Sequence, residues 1–244
     1  SYYNVLSVPQ VHFDGMLTDK TNLNDETLQS YYNTPAIANV RGAFNVEGNT
    51  INVVADFMTY FNTKNIKAYV SVNEKKTTKN VGTNGLTEFH HVMMKMLPDA
   101  KGSTTDFKAG EYQRFEFTYD MSKTFVEEME DLEVSVWIQD IATKEILNSR
   151  YLYEYCQHPY PVQNLQLTNA NNLTISWEAP EKGNPVAYNL YVNNELALEN
   201  TTELSYTIED ADGFYGVEVV ALYENNIASI GVADKIIVGC KAPI

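Results

Sequence analysis

The chain has 244 residues, a formal net charge of -15, 44% hydrophobic residues and two cysteines. That acidity argues against nucleic acid and anionic lipid as partners, because binding to either relies on Lys and Arg neutralising phosphate. No apolar run approaches the roughly 18 residues of a membrane-spanning helix, and with no Cys-x-x-Cys and no Cys/His pair at ligand spacing the sequence offers no structural zinc site.

Residues 1–34 open with an extended segment, Tyr3 to Ser7, a turn at Val8-Pro9-Gln10 and a short strand, Val11 to Phe13, closing on Asp14-Gly15. There is no basic-then-apolar signal pattern at the start, so the chain reads as a mature or trimmed product. A helix follows: Asn24 suits the N-cap, Asp25 and Glu26 complement the dipole, and Leu23, Leu28, Tyr31 and Tyr32 form an apolar face that ends before Pro35. The run Tyr-x-Val-x-x-Val-Pro, then a strand, a glycine turn and a helix, resembles the C-terminal half of a thioredoxin fold. That resemblance implies that Pro9 occupies the place of the family's cis-proline, while the half carrying the redox cysteines is absent from these residues.

From residue 35 to 155 the period becomes two. Ile51, Val53, Ala55 and Phe57 alternate with Asn52, Val54, Asp56 and Met58, and Ile66, Ala68, Val70 and Val72 alternate with Lys67, Tyr69 and Ser71. Further strands are expected over 40–46, 88–97, 112–119, 132–139 and 146–155. Turn signals at Glu47-Gly48-Asn49, Gly82 to Gly85, Pro98-Asp99 and Ala109-Gly110 separate them, which predicts an antiparallel sandwich. His90, His91, Met93, Met94 and Met96 look like soft-metal ligands, but strict alternation puts His90, Met94 and Met96 on one face and His91 and Met93 on the other, which favours packing. The acidic run from Glu127 to Glu133 lacks the Asx-Gly spacing of a calcium loop and reads as a solvated face.

Glu88 to Gly102, with its Phe-x-x-Val-x-x-x-Leu-Pro element, together with Val134 to Asp140 and Lys144 to Leu147, resembles the Omp-twenty-eight-related outer-membrane protein family. The resemblance implies a thioredoxin-like portion followed by a β-domain, in the cell envelope of Bacteroidetes. It brings no catalytic residues.

Tyr155-Cys156-Gln157-His158-Pro159-Tyr160-Pro161-Val162 is a domain seam, since two prolines make a stiff extended connector. The segments on its two sides carry charges of -7 and -8. Strand patterns recur at 162–168, 173–177, 188–193, 205–208, 215–223 and 227–238. Trp177, Tyr215, Val217, Val219 and Ala221 are the expected core of a small two-sheet sandwich. The set Leu-x-Ile-x-Trp-x-x-Pro, Tyr-x-Leu-Tyr-Val-Asn and Tyr-x-Val-x-Val-x-Ala-Leu-Tyr resembles a fibronectin type III domain across nearly all of 156–244, a fold that is silent about function. Asp210-Ala211-Asp212-Gly213 reads as a turn, not a calcium loop. Cys156 and Cys240 either form a bridge or remain buried thiols; a sandwich that is entered and left at opposite ends favours thiols.

The expected architecture is therefore mainly β: a thioredoxin-like remnant (1–34), a β-sandwich (35–155) and a fibronectin type III-like domain (156–244). The expected function is a non-catalytic, exported cell-envelope protein, periplasmic or outer-membrane-associated, a lipoprotein whose modules make protein or glycan contacts or act as spacers. No catalytic, cofactor-binding or metal residue is nominated and no cofactor is implied. The alternative is a fragment of a thiol-disulfide oxidoreductase-like envelope protein whose redox cysteines lie upstream. Glycan binding through exposed tyrosines, of which there are 17 in all, is a third reading.

Overall fold

The structure, a computed structural model, describes residues 12–17, 24–79, 85–104, 106–155, 157–170 and 172–239. Cys156 and Cys240, and with them the bridge-or-thiol question, lie outside those residues, as does Pro9.

At the N-terminal side, β1 (His12–Phe13) and β2 (Met16–Leu17) pair antiparallel around Asp14-Gly15, and α1 (Asp25–Tyr32) follows. The Asn24 side chain accepts the Thr27 N–H at 2.8 Å, a regular N-cap, and Asn33 closes the helix before Pro35. Tyr31 stacks on Phe13 with centroids 4.8 Å apart. No helical residue is fully buried and Tyr32 is 85% exposed, so the apolar face expected of this helix makes a light contact and no core. The hairpin is tied to the next unit by the Ile146 N–H, which donates to the Asp14 carbonyl at 2.6 Å.

The first sandwich packs two sheets face to face. One contains β10 (Ile146–Tyr151), β9 (Leu132–Asp140), β5 (Ile66–Thr77) and β6 (Phe89–Leu97) in that order, with β7 (Ser103–Thr104) also on β5. The other runs β11 (Tyr153–Glu154), β3 (Ala38–Glu47), β4 (Thr50–Thr59), β8 (Tyr112–Asp120). Ile51, Val53, Ala55 and Phe57 from β4 meet Ile66, Ala68, Val70 and Val72 from β5 and Val134, Val136 and Ile138 from β9 in the shared core. Each of the Val, Ile and Phe side chains contributes about 1.5–3 kcal/mol by leaving water. The strand expected over 146–155 is in fact two. At Leu152, which is 7% exposed and donates its N–H to Val134 O at 2.8 Å, the chain crosses from one sheet to the other, and β11 lies parallel to β3.

The second sandwich has a three-stranded sheet, β12 (Gln163–Asn169), β13 (Leu173–Glu178), β16 (Ser205–Ile208), and a four-stranded sheet in the order β15 (Glu195–Thr201), β14 (Ala187–Val192), β17 (Gly213–Leu222), β18 (Val232–Val238). Trp177, Val217, Val219 and Ala221 lie in its core as expected, with Leu173, Ile175 and Leu190, and Tyr215 packs at the edge. Residues 227–231 do not extend β18. Ser229 instead turns back onto β17, its N–H donating to Ala221 O at 3.0 Å.

Candidate functional site

β4 alternates cleanly until Asp56. Its even-numbered residues should face solvent, yet Asp56 and Met58 are both 0% exposed. The peptide expected to be a plain connector covers them: His158, Pro159, Pro161 and Val162 are all buried. Arg114 lies directly across from Asp56 on β8 and makes a fork, Nε to Oδ1 at 2.8 Å and a terminal nitrogen to Oδ2 at 3.0 Å. His158 Nε2 stands 2.9 Å from the same Oδ2, and because a carboxylate only accepts, that nitrogen donates. Burial on its own would lower the Arg114 pKa, but the hydrogen bonds and charge of Asp56 outweigh it and hold the guanidinium above its ordinary value.

Aromatic rings seal this triplet. Arg114 lies 4.7 Å from the Tyr160 centroid and 5.4 Å from that of Tyr112, and His158 meets Tyr160 edge-on at 5.0 Å. From the second sandwich, the Tyr223 hydroxyl donates to the Tyr160 carbonyl at 2.7 Å. Bidentate, charge-assisted bonds in a water-poor setting are directional, so the arrangement fixes how the connector lies on the first sandwich.

A second polar contact bridges the sandwiches farther along. Asn39 Nδ2 on β3 reaches Glu218 Oε1 on β17 at 3.5 Å, and Asn39 Oδ1 accepts from Arg41 at 2.9 Å. Burial, then the neighbouring Glu218, push the Tyr60 hydroxyl up to about 12. Burial also raises the Glu218 carboxyl above its ordinary value.

The outward face of the five-stranded sheet carries an aromatic pair. Tyr69 and Trp137 are cross-strand partners whose rings stack at 5.1 Å and 9°. They border a cleft of about 450 Å³ that Lys67, Met96, Gln139 and Ile146 complete. Gly102 presses on the other side of Tyr69: a Cβ there would stand 2.7 Å from the Tyr69 ring. The half-buried Trp137 is left as the exposed member of the pair.

The His/Met cluster is arranged differently from its expected alternation. A bulge between Val72 and Asn73 places Met96 opposite Ser71 and Met93 opposite Asn73, so both methionines share the outward face. His91 joins them there and donates to Glu133 at 2.7 Å, while Met94 packs on the core. The register slip is the reason: one extra residue in β6 reverses the parity of everything before it. His90 bonds Glu88. Among the described residues no group of three or more His, Cys, Asp or Glu is placed to hold a metal ion.

The acidic run is not a plain solvated face. The Glu127 carboxylate accepts the N–H groups of Thr78 and Lys79 at 2.9 and 2.8 Å, and Asp131 accepts that of Lys76 at 2.9 Å. In return the fully buried Glu74 accepts the Glu127 and Glu128 N–H groups. These carboxylates pin the end of β5, whose backbone donors would otherwise be unpaired. Asp210 and Asp212 sit in the turn before β17, where the Asp212 N–H donates to the Tyr215 hydroxyl at 3.3 Å.

Sequence reasoning missed Asp56, Arg114 and His158. The available signal was the register of an Asp and an Arg on adjacent outward positions beside a histidine flanked by prolines.

The chain is a tandem of antiparallel β-sandwiches preceded by a β-β-α element. No protein-family model matches it and no curated protein matches it. Among solved structures it is similar to HBP35 of Porphyromonas gingivalis (12% identity, 88% of this chain and 68% of that one, TM-score 0.45). It is also similar to fibronectin(III)-like modules of Clostridium thermocellum CbhA (12% identity, 82% and 93%, TM-score 0.28) and to the central fibronectin-III array of RIM-binding protein (14% identity, 84% and 69%, TM-score 0.27).

Proposed function

We propose that this chain is a non-catalytic cell-envelope protein of the Omp-twenty-eight-related kind, exported and periplasmic or outer-membrane-associated. In this reading its sandwiches act as one stiff unit that spaces or presents contact surfaces to protein or glycan. The observation that carries it is the buried Asp56–Arg114–His158 triplet at the junction, with Asp56 wholly excluded from solvent. Modules joined by a flexible tether have no use for charges removed from water at their joint, because such charges stabilise only one geometry. The half-buried Trp137 beside Tyr69 offers a surface for a glycan or an apolar protein side chain.

Residual dipolar couplings measured on both sandwiches test this. One shared alignment tensor is the expected result; two independent tensors would sink the stiff-unit reading. Turnover of a thiol or glycan substrate at a rate abolished by one point substitution would overturn its non-catalytic part.

A further inference from the structure

We propose that the cleft between the two sandwiches binds an organic ammonium group, with the rings of Tyr60, Tyr191 and Phe214 as walls and the Glu218 carboxylate as counter-charge. This goes beyond the spacer reading and stands whether or not that reading holds.

The cleft encloses about 200 Å³ and draws Tyr60 from the first sandwich and Tyr191, Phe214, Gly216 and Glu218 from the second. That volume is below the roughly 300–1,000 Å³ typical of drug-sized ligands and suits a head group. Gly216 lies between Phe214 and Glu218 on the lining and places no side chain in the cleft. Two of the walls are accessible, Tyr60 at 45% exposure and Phe214 at 57%.

Charge decides the ligand class. Among the described residues no Lys, Arg or His forms an ion pair with Glu218, which accepts from the neutral Asn39 amide and Tyr60 hydroxyl. Arg41 is close, but its guanidinium is turned to Asn39 Oδ1 and the Val40 carbonyl, both at 2.9 Å. Burial raises the Glu218 pKa even against the pull of Arg41 and the hydrogen bonds from Tyr60 and Asn39, so its charge is incompletely compensated. Asp234 and Lys235 also line the cleft and offset each other in formal charge, so Glu218 leaves the lining net negative and disfavours an anion. An alkylammonium satisfies both parts of the lining, since its charge is drawn to aromatic faces and its counter-ion is in place. The net charge of -15 adds attraction at long range. Two sources share this chemistry, a lysyl side chain and a choline head group.

The test is a titration of the full chain, followed by amide shifts in two-dimensional NMR, with choline, with N-acetyl-lysine methylamide, and with 3,3-dimethyl-1-butanol as the uncharged isostere of choline. Shifts centred on residues 60, 191 and 216–218 are expected with at least one cationic probe, and the isostere should bind about tenfold more weakly. The tighter of the two cations identifies the source. Phe214→Ala removes a largely exposed ring, so the fold should be retained while cation affinity falls about fivefold or more. Glu218→Gln should narrow the gap between choline and its isostere. Equal binding of choline and the isostere, shifts confined to other surfaces, unaltered affinity in Phe214→Ala, or no binding of either cation would each overturn the proposal.

Discussion

Asp56 holds two hydrogen-bond donors with one carboxylate, the Arg114 guanidinium through both oxygens and His158 through one. Replacing it by Asn keeps the shape but leaves the guanidinium without its counter-charge, and His158 is only 7% exposed. Removing one member of a buried pair typically costs 3–5 kcal/mol. With Arg114 side chain at 20% exposure, Asp56→Asn is expected to destabilise by about 3 kcal/mol in urea denaturation; a loss under about 0.5 kcal/mol would mean that the triplet is as weak as a surface pair. Glu218 behaves differently. Its folded pKa is raised, first by burial and against the opposing pull of Arg41. A group raised in this way contributes stability that is full below its unfolded pKa and is lost as pH rises through the folded value. Arg41 and Tyr60 act directly on Glu218, and Asp234 and Lys235 line the same cleft. Glu218→Gln should therefore gain stability relative to the parent as pH rises from the ordinary carboxylate range toward neutrality. A difference that is flat with pH would contradict the raised value.

At the scale of elements, the Pro98–Gly102 turn controls the aromatic face. The Gly102 N–H donates to Asp99 O at 3.2 Å, the Lys101 N–H to Asp99 Oδ1 at 2.7 Å, and Lys67 Nζ to Lys101 O at 2.7 Å. Gly102 has φ +67, and an added Cβ would also stand 2.9 Å from Ala68 O. Gly102→Ala is thus expected to cost about 1–3 kcal/mol and to displace Tyr69 from Trp137, visible as a change in near-ultraviolet circular dichroism; an unchanged spectrum would show that the turn does not brace the pair. Strands built on strict alternation were legible from the chain alone, as β4, β5, β9 and β17 were, because period two with one face buried has few other readings. β15 escaped notice: Glu195–Thr201 is polar, and its pairing to β14 shifts register twice. The bulge in β6 was equally hidden, since an extra residue leaves no mark in composition.

Over the whole molecule, the joint between the two cores combines the buried Asp56 carboxylate with aromatic contact, Tyr153 and Tyr155 packing against the second core. In the alignment experiment, Arg114→Ala should release the second sandwich from the shared tensor while leaving each sandwich folded, because Arg114 belongs to neither hydrophobic core. Persistence of one tensor would assign the stiffness to the Asn39–Glu218 contact instead. The division at the prolines could be read in the sequence, but the burial of that joint could not. Asp56 occupies an outward strand position, and only the packing of the connector over it turns that position into an interior one. The same reason hid the inter-sandwich cleft, whose walls lie some 130 residues apart or more in the chain, from Tyr60 to Tyr191 and Phe214.

One further consequence follows from β11 running parallel to β3, with Tyr153 beside Ala43, Glu154 beside Phe44 and the Tyr155 N–H on Phe44 O at 2.9 Å. Tension applied between the start of β3 and the connector pulls these strands in opposite directions along their length. Their hydrogen bonds are then loaded together in shear, and not opened one at a time as in an unzipping hairpin. The short clasp before the prolines is thereby a mechanical stop, placed where a body held at a surface would transmit force from one sandwich to the next.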